Sequence, residues 1–359
     1  MNGPRRIGVL TSGGDCAGLN AVIRAVTDAA TLRGWQVLGV LDGSVGLLEQ
    51  PRRYVELCPA VLDGPAFRSG GTLLGTVSSG DPFRFPMPDG SLADRSAEFA
   101  AGVRELGIDA LVVIGGDGSM RIMSRLCAQA GLPMLGIPKT IDNDVPGTDT
   151  AVGFATAVGV VSDALDRLLP TAASHHRVIV VETMGRDAGH IALHGGIAGG
   201  ADLIVLPELG FELAAIVAHL HAVFARGRRH ALLVVAEGAA RAAAAAQRPP
   251  YESIGGWLAR QIEAQSGVQA RCTVLGHLQR GGQPSVEDRL LASAFGVHAV
   301  ELLAQRRHDR VVVQSGGVIG DVPLAIATCG PRVVSADDPL LDVAAGLGIS
   351  FGTTRVPGR

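Results

Sequence analysis

The chain has 359 residues, of which 47% are hydrophobic and 18% are charged, so it is long enough for two globular domains and too apolar to be intrinsically disordered. Its formal net charge is -3 with no long block of one sign, which argues against an extended basic surface for duplex nucleic acid. Aromatic residues make up 4%, too few for a platform that stacks single-stranded bases, so no nucleic acid partner is expected.

The five cysteines are scattered and include no CxxC pair, which disfavours a zinc site or a disulfide framework. We therefore expect reduced thiols in a cytoplasmic protein. Residues 1–14 run directly into a short strand and lack the apolar region of a secretory signal. The chain contains no run of about 18 or more uncharged apolar residues, so no membrane partner is expected.

Short apolar runs alternate with longer helical stretches along the chain. Strands are predicted at residues 7–10, 36–41, 111–114, 133–137, 178–181, 203–206, 232–235 and 273–275. Helices are predicted at residues 18–32, 119–129, 151–169 and 211–224. This alternation predicts an α/β protein with mostly parallel sheets, whose ligands lie at the carboxyl ends of the strands. Polar loops cluster before residue 150 and again near residues 182–189 and 276–282, which predicts two Rossmann-like lobes with the active site in the cleft between them.

Two glycine-rich loops follow predicted strands. Residues 11–15 read Thr-Ser-Gly-Gly-Asp, and residues 115–119 read Gly-Gly-Asp-Gly-Ser. Consecutive glycines let backbone N–H groups approach an anion, and a following helix adds its positive N-terminal end, so both loops fit a phosphate cradle. Neither is a Walker A loop or a GxGxxG fingerprint. Tight glycine turns are also common after strands, so each loop alone leaves a purely structural role open.

Three aspartates are candidates for metal binding and acid–base chemistry. Asp117 lies inside the second glycine loop, where a carboxylate beside phosphates is repulsive unless a cation intervenes, and Mg2+ uses one or two carboxylates plus substrate phosphates. Asp142 and Asp144 flank Asn143, and residues two apart in an extended segment share a face. This pair suits a general base and a metal-binding or orienting partner. Turn and cap roles remain open for all three aspartates.

Cationic side chains gather in the later half of the chain, at strand edges or in loops: Arg177, Arg186, Arg271, His277 and Arg280. Arginine offers a fork of donors to phosphate oxygens, although a single arginine is more often a solvated surface charge. Several arginines in polar, glycine-rich loops favour a sugar-phosphate site. Together with the loops, they predict metal-assisted phosphoryl transfer in which one lobe holds a polyphosphate, the other holds an anionic acceptor, and an aspartate takes the acceptor's proton.

Five stretches together resemble the 6-phosphofructokinase family. They are residues 7–24 (IGVLTSGGDCAGLNAVIR), 114–119 (IGGDGS), 138–154 (PKTIDNDVPGTDTAVGF), 181–200 (VETMGRDAGHIALHGGIAGG) and 273–282 (TVLGHLQRGG). They come in the family's order and span roughly residues 5–295. A GGDG loop also occurs in lipid and NAD kinases, which lack the other stretches. The chain is similar to bacterial members of an ATP-using branch close to pyrophosphate-dependent enzymes.

The resemblance implies phosphorylation of fructose 6-phosphate at its C1 hydroxyl, with ATP as co-substrate and Mg2+ as cofactor, in glycolysis. It implies a nucleotide- and Mg2+-binding lobe (residues 1–152 plus about 278–330) and a sugar-phosphate-binding lobe (residues 153–277 plus about 331–359). The implied donor-binding residues are Gly13, Gly116, Gly118, Ser119 and Lys139, with Asp117 as the Mg2+ ligand. The implied catalytic residues are Asp142, as the base on the C1 hydroxyl, with Thr140, Asp144 and Arg186. The implied acceptor-binding residues are Thr140, Asp142, Arg177, Met184, Gly185, Arg186, Glu237, Arg271, His277 and Arg280.

Two of these arginines imply an oligomer. Arg177 and Arg271 resemble the pair that a neighbouring subunit contributes to the 6-phosphate of the sugar. The resemblance therefore implies a homotetramer or a homodimer.

Two positions in this family discriminate ATP from pyrophosphate. Gly118 matches ATP-dependent members, whereas pyrophosphate enzymes usually carry Asp there, whose side chain would occupy and repel the place of the ATP α-phosphate. Lys139 matches pyrophosphate enzymes, where many ATP enzymes have Gly. We give Gly118 more weight, because Asp blocks ATP whereas Lys can lie beside phosphates, and we expect ATP. A reversible pyrophosphate-dependent enzyme remains an alternative, as does a kinase of another ketose phosphate such as sedoheptulose 7-phosphate.

The chain departs from the family pattern after its GGTxLG segment, where members usually place an arginine that bridges donor and acceptor phosphates. Here residues 70–75 run on to Ser79 without it. Such a clamp on transferring charge can be worth several kcal/mol. We hypothesise that Lys139 compensates; Arg84, slow turnover and a different acceptor are the alternatives.

The effector site of bacterial members is also altered. Arg24 matches the first of two effector-binding arginines, but Asp28 stands where the second would be, and a carboxylate repels a phosphorylated effector. We expect weak or absent regulation by ADP or phosphoenolpyruvate. A regulatory subunit without turnover is a third possible function, which the presence of Asp117, Asp142 and Asp144 disfavours.

Overall fold

The computed structural model describes residues 4–62, 64–78 and 80–354, so Ser79 lies outside the described residues. The strands are β1 (Arg6–Thr11), β2 (Gln36–Val40), β3 (Tyr54–Leu57), β4 (Phe85–Pro86), β5 (Leu92–Ala93), β6 (Ala110–Gly115), β7 (Met134–Pro138), β8 (Val178–Thr183), β9 (Leu203–Val205), β10 (Ala231–Ala236), β11 (Ala270–Val274), β12 (Arg310–Ser315) and β13 (Val318–Pro323). The α-helices are α1 (Leu19–Leu32), α2 (Val45–Leu48), α3 (Ser96–Leu106), α4 (Asp117–Ala130), α5 (Phe154–His175), α6 (His190–Ala198), α7 (Leu213–Ala225), α8 (Ile254–Ser266), α9 (Val286–Ala304), α10 (Leu324–Ala327) and α11 (Pro339–Gly346). Short 3-10 turns occupy Ala66–Arg68, Pro82–Arg84, Glu237–Arg241, Ala243–Ala245 and Gly276–Arg280.

Each predicted strand and helix is present, with differences at the ends. The predicted end of α5 at residue 169 was wrong, because the helix continues through Pro170 to His175. Proline usually ends a helix since it lacks an N–H donor and its ring crowds the preceding turn. The strand predicted at residues 273–275 begins earlier, at Ala270.

The chain divides into two compact units. Unit 1 comprises Met1–Thr140, Asp144–Ala155 and Arg280–Pro331, and unit 2 comprises Ile141–Asn143, Thr156–Gln279 and Arg332–Arg359. Unit 1 contains a seven-stranded sheet in the order β13-β12-β7-β6-β1-β2-β3. Its five central strands are parallel, whereas β3 and β13 pair antiparallel at the two edges.

The strand order reverses between β1 and β6, which pair directly. From β1 the chain crosses outward to β2, and it later returns to the other side of β1 with β6. Ligands of doubly wound sheets bind outside the carboxyl ends of strands at such a switch point. Both glycine loops follow strands that meet there.

Unit 2 contains a four-stranded, fully parallel sheet in the order β11-β8-β10-β9. Every residue of β6 and of β8 is buried, as expected for parallel strands covered on both faces. The α/β class with mostly parallel sheets is therefore confirmed. Within the described ranges, no helix combines the length and apolarity that crossing a membrane requires.

Candidate active site

The first glycine loop is held by the segment that follows the GGTxLG motif. Thr11, the last residue of β1, donates its hydroxyl to the Gly75 carbonyl at 2.6 Å. The Gly13 N–H donates to the Val77 carbonyl at 2.9 Å, and the Thr76 hydroxyl donates to the Gly13 carbonyl at 2.7 Å. Gly13 has φ of 85°, a conformation that favours glycine. The loop therefore has a fixed backbone at the carboxyl end of β1.

Side chains of two other predicted donor-binding residues converge on this loop. A Cβ atom added at Gly13 would lie 3.1 Å from the Ser119 hydroxyl and 3.5 Å from the Lys139 ammonium. The Lys139 ammonium also donates to the Gly14 carbonyl. Lys139 is 3% exposed and is the single lysine of the chain. The structure thus brings Gly13, Ser119 and Lys139 together.

The second glycine loop leads into α4. Gly116 is the N-cap residue, and Asp117 and Gly118 are the first two residues of the helix. Apart from its chain neighbours and the backbone of its own helix, no heavy atom of the described residues lies within 4 Å of the position that a Gly118 Cβ would take. A 14-residue helix therefore presents its N-terminal N–H groups and positive dipole end beside open space.

Asp117 fits a metal ion that arrives with phosphates. Its carboxylate accepts from Arg121 at 2.9 Å, and its side chain is 19% exposed. Among the described residues, no group of three or more His, Cys, Asp or Glu side chains could hold a metal by itself. Mg2+ is commonly bound by one or two carboxylates plus substrate phosphates. The donor set is therefore suited to Mg2+ bound together with a nucleotide.

The loop with the two predicted catalytic aspartates is buried but not extended. Asp142 is 9% exposed, Asn143 is 3% and Asp144 is 7%. Asn143 has φ of 54°, in the left-handed region that few residues other than glycine adopt. The expectation that residues 142–144 form an extended segment was therefore wrong. Thr140, just before the loop, donates its backbone N–H to the Val152 carbonyl at 3.2 Å.

The loop after β8 is fastened to the turn after β10. The Arg186 N–H donates to the Glu237 carboxylate at 2.9 Å, and the Arg186 carbonyl accepts from Arg241 at 2.9 Å. Arg186 is exposed and has φ of 53°, and Gly185 before it has φ of 143°. Backbone in such conformations persists only where the surroundings hold it. The structure thus brings Met184, Gly185 and Arg186 together with Glu237 at the carboxyl ends of β8 and β10.

Arg177 and Arg271 lie at the opposite end of the same sheet. Arg177 directly precedes β8, and Arg271 pairs in register with Ile179 of β8. A six-residue strand spans about 20 Å. The Arg271 side chain is 51% exposed and lies 3.3 Å from Glu263. The predicted cations of unit 2 therefore do not form one cluster within a single chain.

The last two predicted cations follow β11. His277 is exposed and lies in the turn Gly276–Arg280. Arg280 donates to the Asp15 carbonyl at 2.9 Å, and a Cβ at Gly14 would lie 2.5 Å from its Nη1 atom. Arg280, expected to bind the acceptor, therefore lies against the first glycine loop.

Two residues that hold these loops were not found from the sequence. Glu208 accepts from the Gly189 N–H at 2.8 Å and from the Val334 N–H at 2.9 Å. Arg332 donates to the Asn143 carbonyl. Both residues lie outside the five motif stretches, and their partners are backbone atoms, which no pattern of side chains reports.

Burial lowers the pKa of two histidines of α6, His190 and His194. His190, the first residue of α6, is 2% exposed. Burial, with smaller contributions from the charges of Arg332 and His194, lowers the pKa of His190 from 6.5 to about 4. The imidazole is therefore neutral near neutral pH.

Comparison with known proteins identifies relatives over nearly the whole chain. The family model described as phosphofructokinase matches residues 6–303. The protein named ATP-dependent 6-phosphofructokinase 1 from Nostoc sp. is 47% identical over 98% of this chain and 100% of its own length. ATP-dependent 6-phosphofructokinase from Chloroflexus aggregans is 44% identical over 97% of this chain and 98% of its own length.

Solved structures give the same result for the fold. Phosphofructokinase from Saccharomyces cerevisiae matches with a TM-score of 0.77 and 30% identity over 96% of this chain and 46% of the yeast chain. Pyrophosphate-dependent phosphofructokinase from Marinobacter aquaeolei matches with a TM-score of 0.78 over 96% of this chain and 88% of its own. Its identity of 21% supports the shared fold alone.

Proposed function

Because the chain belongs to the phosphofructokinase family, we propose that it transfers the γ-phosphoryl group of ATP to the C1 hydroxyl of fructose 6-phosphate, giving ADP and fructose 1,6-bisphosphate in glycolysis. The observation that carries this proposal is the convergence of Ser119 and Lys139 on Gly13 at the switch point of the larger sheet. The N-terminal N–H groups of α4, the Ser119 hydroxyl and the Lys139 ammonium form a set of donors for a polyphosphate.

ATP is the donor because the second glycine loop has room for it. Among the described residues, no atom outside this turn of the helix lies within 4 Å of a Cβ position at Gly118, so an α-phosphate placed there meets no side chain. The relatives from Nostoc and Chloroflexus are named as ATP-dependent. Lys139 lies beside Gly13 and Gly14, where its charge is available to phosphates without filling the place next to Gly118.

The chemical step is an in-line displacement at phosphorus. Asp142 accepts the proton of the C1 hydroxyl as its oxygen attacks the γ-phosphorus, and ADP leaves with the electrons of the broken bond. Lys139 donates to the phosphoryl oxygens and offsets their charge, while Thr140 and Asp144 orient the reacting groups. Asp117 would hold Mg2+, which would neutralise phosphate charge when bound. Unit 1 carries the donor-binding residues Gly13, Gly116, Gly118, Ser119 and Lys139.

Unit 2 carries most of the acceptor-binding residues. Met184, Gly185, Arg186, Glu237 and His277 all follow the carboxyl ends of parallel strands. Arg186 and His277 are exposed and able to reach a polar ligand. We assign them to the sugar phosphate, together with Arg280 of unit 1.

A second copy of the chain completes the site. Arg177 and Arg271 lie at the amino ends of β8 and β11, about 20 Å along the sheet from Arg186. They serve the 6-phosphate of a neighbouring subunit, which makes the protein a homodimer or a homotetramer. Scattered cysteines that are expected to be reduced, together with sugar-phosphate and ATP substrates, are typical of a cytoplasmic enzyme, and we place the protein in the cytoplasm.

Initial rates test the proposal. Formation of fructose 1,6-bisphosphate from fructose 6-phosphate and Mg2+ is measured with ATP and with pyrophosphate in parallel, and sedoheptulose 7-phosphate is the alternative acceptor. We expect turnover with ATP and fructose 6-phosphate. Turnover with pyrophosphate alone would show that Lys139 outweighs Gly118, and a higher kcat/KM for sedoheptulose 7-phosphate would assign a different acceptor.

A further inference from the structure

The backbone between Asp142 and Asp144 is held by the side chain of Arg332. Arg332 donates to the Asn143 carbonyl from Nη2 at 2.9 Å and from Nε at 3.3 Å. Asn143 is 3% exposed, so water has little access to this carbonyl. A guanidinium fork is a charge-assisted and directional partner. Asn143 adopts the left-handed conformation, with φ of 54°, which asparagine reaches more readily than most residues but which a hydrogen bond to its carbonyl helps to hold.

The same short segment is fastened at a second point. Residues 332–334, which we call the C-terminal strap, end at Val334, whose N–H donates to the Glu208 carboxylate at 2.9 Å. The same Glu208 oxygen accepts from the Gly189 N–H at 2.8 Å. Gly189 is the N-cap residue of α6 and follows the acceptor loop of Met184, Gly185 and Arg186.

The C-terminal strap therefore links two loops that are distant in sequence. One end holds Asn143, next to the base Asp142, and the other end reaches Gly189 through Glu208. All of these residues belong to unit 2. A fixed distance between the base and the acceptor loop matters because a general base works only within hydrogen-bond reach of its proton.

We infer that Arg332 is a positioning residue for phosphoryl transfer. By fixing the Asn143 carbonyl it fixes the backbone from which the Asp142 carboxylate projects. The inference rests on the proposed function, in which Asp142 is the base. A shift of about 1 Å in such a group can lower the rate about 100-fold.

Three variants test this role. Arg332→Gln removes the charged fork, and Arg332→Lys keeps the charge with a single donor group. Arg260→Gln is the matched control, because Arg260 is also paired through its guanidinium, with Glu252, but its side chain is 59% exposed on α8. For each protein we measure kcat, the KM for ATP and fructose 6-phosphate, and hydrogen exchange of the amides of residues 141–144.

We expect kcat of Arg332→Gln to fall about 10- to 100-fold, with the KM for ATP within about 2-fold of wild type. The kcat of Arg332→Lys should lie between those of wild type and Arg332→Gln, and the kcat of Arg260→Gln should equal that of wild type. The amides of residues 141–144 exchange about 10-fold faster in Arg332→Gln, while those of β8 do not change. An unchanged kcat, or unchanged exchange of this loop, would overturn the positioning role.

The two readouts separate this inference from the proposed function. If wild type fails to phosphorylate fructose 6-phosphate but the loop still exchanges faster in Arg332→Gln, the proposed function is wrong and the structural role of Arg332 stands. If wild type is active and the loop exchange is unaffected, the function stands and the inference fails. If Arg332→Gln does not fold, kcat and hydrogen exchange of residues 141–144 in Arg332→Lys test the positioning role instead.

Discussion

Lys139 and Arg280 donate hydrogen bonds to the carbonyls of two consecutive residues, Gly14 and Asp15, in the loop after the first strand. Two cations distant in sequence are thereby held beside one glycine loop. Both come from segments that follow carboxyl ends of strands, β7 and β11. In a family whose members usually carry an arginine near Ser79, these two residues offer positive charge at the donor-binding loop.

The first prediction concerns Lys139. Lys139→Met keeps the length of the buried side chain and removes its charge, so the stabilisation of the transferring phosphoryl group is lost. We expect kcat/KM with ATP to fall about 100- to 1,000-fold, the typical cost of one such donor. Initial rates with Mg-ATP and fructose 6-phosphate measure it. Arg104→Met, which removes an exposed cation of α3, is the control.

Because Lys139 is the single lysine of the chain, its contact with phosphates can also be observed directly. Protein labelled with 13C in lysine gives one set of side-chain signals. These signals should shift when ATP is added. An unchanged kcat/KM in Lys139→Met together with an unmoved signal would exclude Lys139 as the replacement for the missing arginine.

The second prediction concerns donor choice at Gly118. Gly118 is the second residue of α4 and meets no heavy atom within 4 Å of a Cβ position, so Gly118→Asp should fold normally. Its carboxylate then repels and fills the place of the ATP α-phosphate, and we expect kcat/KM for ATP to fall about 100-fold or more. Gly118→Ala is the control for size without charge. Equal ATP activity in wild type and Gly118→Asp would mean that this position does not select the donor.

The strands, the main helices and the glycine loops could be predicted because their signals are local. Apolar runs ending in glycine and polar residues identify strand ends, and parallel topology then brings Gly13 near Ser119. The contact between Arg332 and the Asn143 carbonyl could not be predicted, since the two residues are distant in sequence. The continuation of α5 through Pro170 likewise overrides a local rule. The sequence did not predict backbone that is held by side chains distant in sequence.

The third prediction concerns the neighbouring subunit. Arg271→Gln and Asp142→Asn each inactivate the enzyme if the site needs one residue from each chain. In a mixed pair, the Arg271→Gln chain keeps Asp142 and receives Arg271 from the Asp142→Asn chain, so one of the two sites is intact. Random mixing makes about half of the pairs mixed, and about a quarter of all sites should therefore regain activity. Activity after dissociation and reassociation of the mixture measures it.

The control for this experiment mixes Lys139→Met with Asp142→Asn. In our proposal both residues serve the same site from the same chain, so every site keeps one defect and activity should not return. If the mixture of Arg271→Gln and Asp142→Asn also stays inactive, Arg271 does not complete the site of a second copy.

The last prediction concerns pH and stability. The pKa of His190 is lowered from 6.5 to about 4 by burial, so between these values the unfolded chain binds a proton that the folded chain does not. The contribution of the neutral His190 to stability is therefore fully present above pH 6.5 and is lost progressively as the pH falls toward 4. Arg332 and His194 add to the lowering of the pKa, whereas Asp338 opposes it. Between pH 7 and pH 5 we expect the free energy of unfolding to fall by about 2 kcal/mol on this account.

Urea unfolding at both pH values tests this effect in unit 2. Trp257 is 3% exposed in the core of that unit, so its fluorescence in a Trp35→Phe background reports the transition of unit 2. His190→Phe cannot be protonated, and the loss of stability between pH 7 and pH 5 should shrink by about 2 kcal/mol relative to wild type. Equal pH dependence in wild type and His190→Phe would mean that burial of His190 does not make the fold sensitive to acid.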